Sequence, residues 1–287
     1  MFSDILEIIE NSEGRNFYEI CEMLKDCVNL DTDFLNTLRQ IGIIPECIAH
    51  DSTGEKLFSK ASDMVLARAF RELGLKSSVL NERSDSADVI AESKFYGYTL
   101  VADAKAFRLS RTAKNQKDFK VSALSSWRKD NDYAVLCSPY FQYPPKISQI
   151  YAQALTNNVC LLSWEHLIFL IENRIAESEN LNLSAVWGFS DKFSHEVLVS
   201  DMKKNFMSEF NNFLSGFLNF DREIFGTSLN EQISHIIIRS RHEKSFWLER
   251  IERINNYSRK QAVNELISSL KINEKLKKID DYVRSLS

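Results

Sequence analysis

The sequence predicts an α/β protein: a central mixed β-sheet flanked by helices, with a mainly helical C-terminal third. Three observations predict it. Short strand signals cluster between Asp88 and Ser163, helical patterns separate the later ones, and after Trp164 almost nothing reads as strand.

Residues 1–41 carry apolar side chains at helical spacing (Phe2, Ile5, Leu6, Ile9, then Phe17, Ile20, Cys21, Leu24), and Gly42 to Pro45 break the pattern. From Ser52 or Thr53, both good N-cap types, a helix should run through Leu57, Phe58, Ala61, Val65 and Phe70 to end near Gly74. Strand signals follow at 88–91, 98–107, 133–138 and 159–163, with helices expected over 117–129 and 146–156, and Pro139, Pro144 and Pro145 in a loop. Beyond them, 164–176, 201–219, 229–256 and 258–270 read as helix, the last capped by Ser258. The expected division is a helical N-terminal segment over 1–45, a catalytic core over 46–176 and a helical region over 177–287, which could pack on the core as one domain. Phe206, Phe210, Phe213, Phe217 and Phe220 recur at helical spacing, as a core or a subunit interface would require.

Composition bounds the function. The 287 residues are 44% hydrophobic and 26% charged, as in an ordinary folded globular protein. Five cysteines form no C-x-x-C pair, which fits a reducing compartment rather than a disulfide framework. The N-terminus is acidic where a secretory peptide is basic, and the apolar run over 160–171 is interrupted by Glu165 and His166 and too short to span a bilayer. A cytoplasmic location is expected. The eight glycines build no phosphate-cradling loop, and the five histidines have no metal-ligand spacing. His166 is expected to be a packing residue.

Charge is uneven. The net charge is −4, yet from Lys105 to Lys129 eight Lys/Arg face a single acid, Asp118, giving +7 locally and −11 elsewhere. Such a strip is either a phosphate-binding surface or a solvated helix face.

The informative segment is DVIAESKFYGYTLVADAK, Asp88 to Lys105. A hairpin turning around Phe95 and Tyr96, with Gly97 supplying a positive φ, pairs positions that sum to 191. Asp88 then opposes Asp103. Like charges directly opposite repel unless a cation lies between them, and Mg²⁺ prefers one or two carboxylates with water and phosphate oxygens. Alternation along the strand puts Lys105 on the face of Asp103. Two acids and a lysine on one face equip a protein for metal-assisted phosphodiester hydrolysis, with the lysine acting on the attacking water or on the developing phosphorane charge. Glu55, in the first turn of the preceding helix, either reaches the same metal or simply favours the helix dipole.

At these residues the chain resembles the type II restriction endonucleases of the PD-(D/E)XK superfamily. The resemblance is carried by LVADAKAFRLSRTAKNQKDFKVSALSSW (100–127), DYAVLCSPYFQYP (132–144), LLSWEHL (161–167) and STGEKLFSKASDMVLARAF (52–70), and the first 40 residues match poorly. Ala87 stands where that family usually has Pro. The resemblance implies the sheet fold of that superfamily, Asp88, Asp103 and Lys105 as catalytic residues, and the Ala104 carbonyl as a further metal ligand. It also implies a Mg²⁺-dependent homodimer cutting both strands of a palindrome, AAGCTT between its two adenines, to leave 5′ overhangs. A cognate DNA methyltransferase is the implied functional partner. Arg108, Arg111, Lys114, Asn115, Gln116 and Lys117 are the DNA-contact candidates, by residue type suited to guanine, adenine or phosphate. The alternatives are a repair or recombination nuclease of the same superfamily and a DNA-binding protein with a merely structural acidic cluster.

Overall fold

A computed structural model describes residues 2–80, 86–111, 116–144, 148–196 and 199–285, side chains excepted at 116, 195, 196, 199–204 and 285. The chain forms two compact units, Met1–Ile238 and Arg239–Ser287.

The first unit begins with α1 (Phe2–Glu10), α2 (Phe17–Leu30) and α3 (Phe34–Ile41). Asn16 starts α2 by accepting the Tyr18 N–H at 2.9 Å, which divides the N-terminal helical pattern. Next comes α4 (Thr53–Glu72), capped as expected by Ser52, whose hydroxyl accepts the Glu55 N–H at 3.1 Å. Leu57, Phe58, Ala61, Val65, Ala69 and Phe70 on α4 are buried. That burial, rather than intrinsic propensity, holds such a helix in place.

The sheet has five strands in sequence order: β1 (Lys76–Val79), β2 (Val89–Glu92), β3 (Thr99–Ala104), β4 (Tyr133–Ser138) and β5 (Val159–Ser163). β1, β2 and β3 pair antiparallel; β3, β4 and β5 pair parallel, so the sheet is mixed as expected. Between β3 and β4 lie α5 (Gln116–Phe119) and α6 (Val121–Trp127); α7 (Gln149–Thr156), capped by Ser148, joins β4 to β5. α4 packs against β1, β2 and β3, whereas α6 and α7 pack on the parallel half. After β5 come α8 (Trp164–Glu172), α9 (Ser184–Trp187), α10 (Phe189–Glu196) and α11 (Val199–Phe217). Phe206 and Phe210 of α11 are fully buried in one hydrophobic cluster that also holds Phe2, the strands and Phe225. Those two belong to the core; Phe213, Phe217 and Phe220 pack against it partly buried.

α12 (Arg222–Asn255) begins seven residues before the expected start at 229. The second unit contains α13 (Arg259–Ser269), capped by Ser258, and α14 (Ile272–Ser285), which the sequence pattern left unassigned. Two further departures lie near the sheet. β1 was not anticipated, because KSSV offers no apolar alternation and its burial merely alternates exposed with half-buried. The helix expected over 117–129 is broken at Lys120, whose left-handed φ of 51° ends α5 and starts α6. No helix among the described residues is long and apolar enough to cross a membrane.

Candidate active site

The β2–β3 hairpin sets the site. Its register pairs Val89 with Ala102 and Glu92 with Thr99, so every pair sums to 191 and Asp88 lies one step beyond, opposite Asp103. Gly97, at φ 69°, makes the turn as expected, and the Ser93 N–H donates to the Tyr98 carbonyl at 2.9 Å to close it. Beneath the turn, buried Glu177 accepts from Ser93 Oγ at 2.5 Å, from the Leu183 N–H at 3.1 Å and from the Tyr98 hydroxyl. A fully partnered buried carboxylate fixes the hairpin base, and with it the register.

Three carboxylates meet at the end of the central strand. Asp63, Asp88 and Asp103 each offer an oxygen, and all three oxygens lie within 4.8 Å of one another. Asp103 and Asp63 are 3% and 4% exposed, while Asp88 is half-buried. Burial drives the carboxyl of Asp63 well above its ordinary range, with the charge of Asp88 adding to the effect. Burial also raises Asp103, partly offset by Lys105. Negative charge is therefore costly here, and two lysines answer it. The Lys105 ammonium lies 2.5 Å from Asp103 Oδ2. Lys60, from α4, pairs with Asp88 and stands 3.5 Å from Asp63 Oδ2. Burial works against the Lys60 charge, but the two aspartates outweigh it and hold the ammonium above its usual pKa.

The Lys105 backbone is fixed at both ends. Its N–H donates to the Cys137 carbonyl at 2.7 Å, and its carbonyl accepts the Trp164 indole N–H at 2.9 Å. Trp164 in turn lies against Gly42, where a Cβ would come within 2.7 Å of the indole. Ala104, between Asp103 and Lys105, ends β3, and Ala87, just before Asp88, is a buried small residue.

Glu55 is not among the clustered acids. Its side chain accepts the Asp51 N–H at 2.7 Å, pairs with Arg108 and lies 3.5 Å from His50 Nδ1. His50, Asp51 and Glu55 could together hold an ion, but Arg108 already supplies that group with a cation. The acid that α4 does bring to that cluster is Asp63, two turns further on, which sequence reasoning missed. Its signal was an acid inside an apolar helix arc with a lysine three residues before it.

The basic strip is partly committed to the fold. Arg108, with a side chain 10% exposed, also donates to the Ile48 carbonyl at 2.7 Å. Arg111 is exposed and lies 3.3 Å from Asp118 Oδ1 and 3.4 Å from His50 Nε2. Lys117 and Lys120 are exposed, Gln116 opens α5, and Lys114 and Asn115 fall outside the described residues. His166 packs, as expected. Its Nδ1 accepts the Ser163 N–H at 3.1 Å, its ring stacks on Phe225, and burial lowers its pKa to about 4.

A mixed sheet presenting clustered acids and lysines beside a basic segment is the frame on which restriction endonucleases work. The model of the HindIII restriction endonuclease family matches residues 9–283. The chain is 43% identical to the type II restriction enzyme HindIII of Haemophilus influenzae, over 98% of this chain and 95% of that one. The chain belongs to the HindIII restriction endonuclease family and is a type II restriction endonuclease. Among solved structures it is similar to restriction endonuclease FokI at 14% identity and a TM-score of 0.36, over 57% of this chain and 32% of that one.

Proposed function

We propose that this enzyme is a Mg²⁺-dependent nuclease of the PD-(D/E)XK type that cuts double-stranded DNA at AAGCTT, between the two adenines. The observation that carries the chemistry is the meeting of Asp63, Asp88 and Asp103 beside Lys105 at the end of the central strand. The residues fit the ion: the donor set is all oxygen, close enough to share one cation, and its negative charge is costly where it stands. Asp88 and Asp103 would hold the ion with the Ala104 carbonyl, and Asp63 would support them. When bound, Mg²⁺ polarises the scissile phosphate and acidifies the attacking water. Lys105, its backbone pinned by Cys137 and Trp164, orients that water and neutralises charge developing on the phosphate. Glu55 acts indirectly by holding Arg108 beside the basic segment. Arg111, Lys114, Asn115, Gln116 and Lys117 contact the DNA.

A palindrome is read by two copies, since an isologous pair presents one site to each strand. The unit 239–287 supports that reading. Leu276, Ile279 and Val283 of α14 recur at 3- and 4-residue spacing and are 56%, 59% and 58% exposed. Lys275 and Asp280 flank that stripe five residues apart, the spacing at which opposite charges meet across a parallel helix pair. A second copy of this chain is the partner such a stripe fits. Double substitution Leu276→Glu/Ile279→Glu is expected to halve the mass measured by light scattering; an unchanged dimer would refute that seam.

The functional test is digestion of unmethylated plasmid with Mg²⁺ or EDTA, followed by sequencing of the ends. Uniform ends within AAGCTT, formed only with Mg²⁺, are expected. Ends at another palindrome would refute the site and keep the chemistry, and cutting in EDTA would refute the metal. A host carrying the enzyme then needs a methyltransferase acting on the same sequence and sharing a cytoplasmic location.

A further inference from the structure

Lys60 is a cation to which neither the family resemblance nor the chemistry above gives a task. It stands on α4, pairs with Asp88 and lies 3.5 Å from Asp63 Oδ2, so it contacts two of the three acids that cluster. The two lysines of the site are not equivalent. Lys105 is held by its own strand, two residues from Asp103, with both backbone groups bonded and its side chain 17% exposed. Lys60 stands on a helix with its side chain 31% exposed, on a four-carbon stem whose length lets an ammonium reach solvent. A divalent ion drawing on Asp63 and Asp88 would compete for the carboxylates that Lys60 engages, and the two cations repel at such range.

We propose that Lys60 is an exchangeable counter-ion of the metal site: it holds Asp63 and Asp88 together, and the divalent ion binds by displacing it. This inference rests on the metal reading above. It makes Lys60 a positioning residue that sets the metal affinity, because part of the ion's binding free energy goes into breaking the lysine pairs. It also explains how two buried acids and a third beside them coexist in one cluster before any ion arrives. Lys60 supplies the positive charge their mutual repulsion demands.

The test uses full-length protein and MgCl₂ without DNA, so that no turnover enters. Mg²⁺ affinity is measured by calorimetry, and thermal stability is measured in EDTA and in saturating Mg²⁺, for wild type, Lys60→Met and Lys60→Arg. Exchange predicts that Lys60→Met melts lower than wild type in EDTA but level with it in Mg²⁺, and that it binds Mg²⁺ about tenfold more tightly. Lys60→Arg, which keeps the charge and can pair bidentately, should melt normally and bind the ion no better than wild type. A Lys60→Met deficit of equal size in both buffers, with unchanged or weaker affinity, would make Lys60 a permanent structural bridge and overturn the proposal. Should Lys60→Met fail to fold, Mg²⁺ binding by Lys60→Arg tighter than wild type would overturn it equally. Absence of Mg²⁺ binding by wild type itself would instead overturn the metal reading, and exchange with it.

Discussion

Glu165 offers a quantitative test of the platform behind Lys105. It sits in the first turn of α8, beside the Trp164 that holds the Lys105 carbonyl, and its Oε2 accepts the Tyr140 N–H at 2.8 Å. Burial raises its pKa from 4.5 to about 7. Between those values the folded state keeps a proton that the unfolded chain gives up, so stability falls as pH rises through that window and levels off above pH 7. A displacement of about 2.5 units corresponds to about 3 kcal/mol of stability lost between pH 4.5 and 7. Glu165→Gln removes the titration and keeps the shape. At pH 5, where the wild-type carboxyl is protonated, the two proteins should melt together within a degree or two. At pH 8 the variant should be the more stable by about 2–3 kcal/mol, because only the wild type has lost the stability that goes with the retained proton. Urea midpoints at a series of pH values read the difference directly. A wild-type-minus-variant difference that stays constant from pH 5 to pH 8 would refute the raised pKa.

Other expectations concern the site itself. Lys105→Ala should abolish cutting while specific binding in Ca²⁺ persists in gel shift, since the lysine acts on the reacting phosphate more than on ground-state affinity; wild-type turnover would refute the assignment. Asp103→Asn should abolish cutting and, by leaving the Lys105 ammonium without its partner, lower the melting temperature in EDTA. Gly42→Ala places a methyl within 2.7 Å of the Trp164 ring, so it should lower both melting temperature and cleavage rate by shifting the ring off the Lys105 carbonyl. Lys117→Ala should weaken binding equally at all sequences and reduce the salt slope by about one, whereas Arg108→Ala should cost stability, because its guanidinium is spent on Glu55 and Ile48.

The pairing of Asp88 with Asp103 was legible because a tight antiparallel hairpin leaves little freedom: once Gly97 fixes the turn, arithmetic fixes the register. β4 and β5 were legible over 133–138 and 159–163 for a different reason, being short continuous apolar runs of the kind buried in parallel sheets. Ser52 and Ser258 announced their helices through capping chemistry. Tertiary choices stayed hidden. α4 carries acids at both Glu55 and Asp63, and only its packing against β2 and β3 decides which of them meets Asp88 and Asp103. Sequence reasoning preferred the acid at the helix start; packing brings the one facing the sheet. The basic strip likewise gave charge without commitment, and Arg108 shows that a cation beside an active site can be spent on the scaffold.

That division of labour among cations bears on how the site stays poised. Three acids crowded at the end of a central strand would cost the fold stability in proportion to their burial, and hydrophobic residues there would be cheaper. The chain keeps the acids and distributes two ammonium ions over them, one fixed by the strand and one on a flexible arm. A rigid lysine serves chemistry, because its Nζ must sit at a defined place when the phosphate arrives. A movable one serves assembly, because it can yield to a stronger cation. If both lysines were rigid, the site would be stable and would resist the ion; if both were mobile, the reacting water would have no fixed partner. On the proposed metal reading, the contrast between Lys105 and Lys60 is what a charged site that must fold first and load afterwards requires.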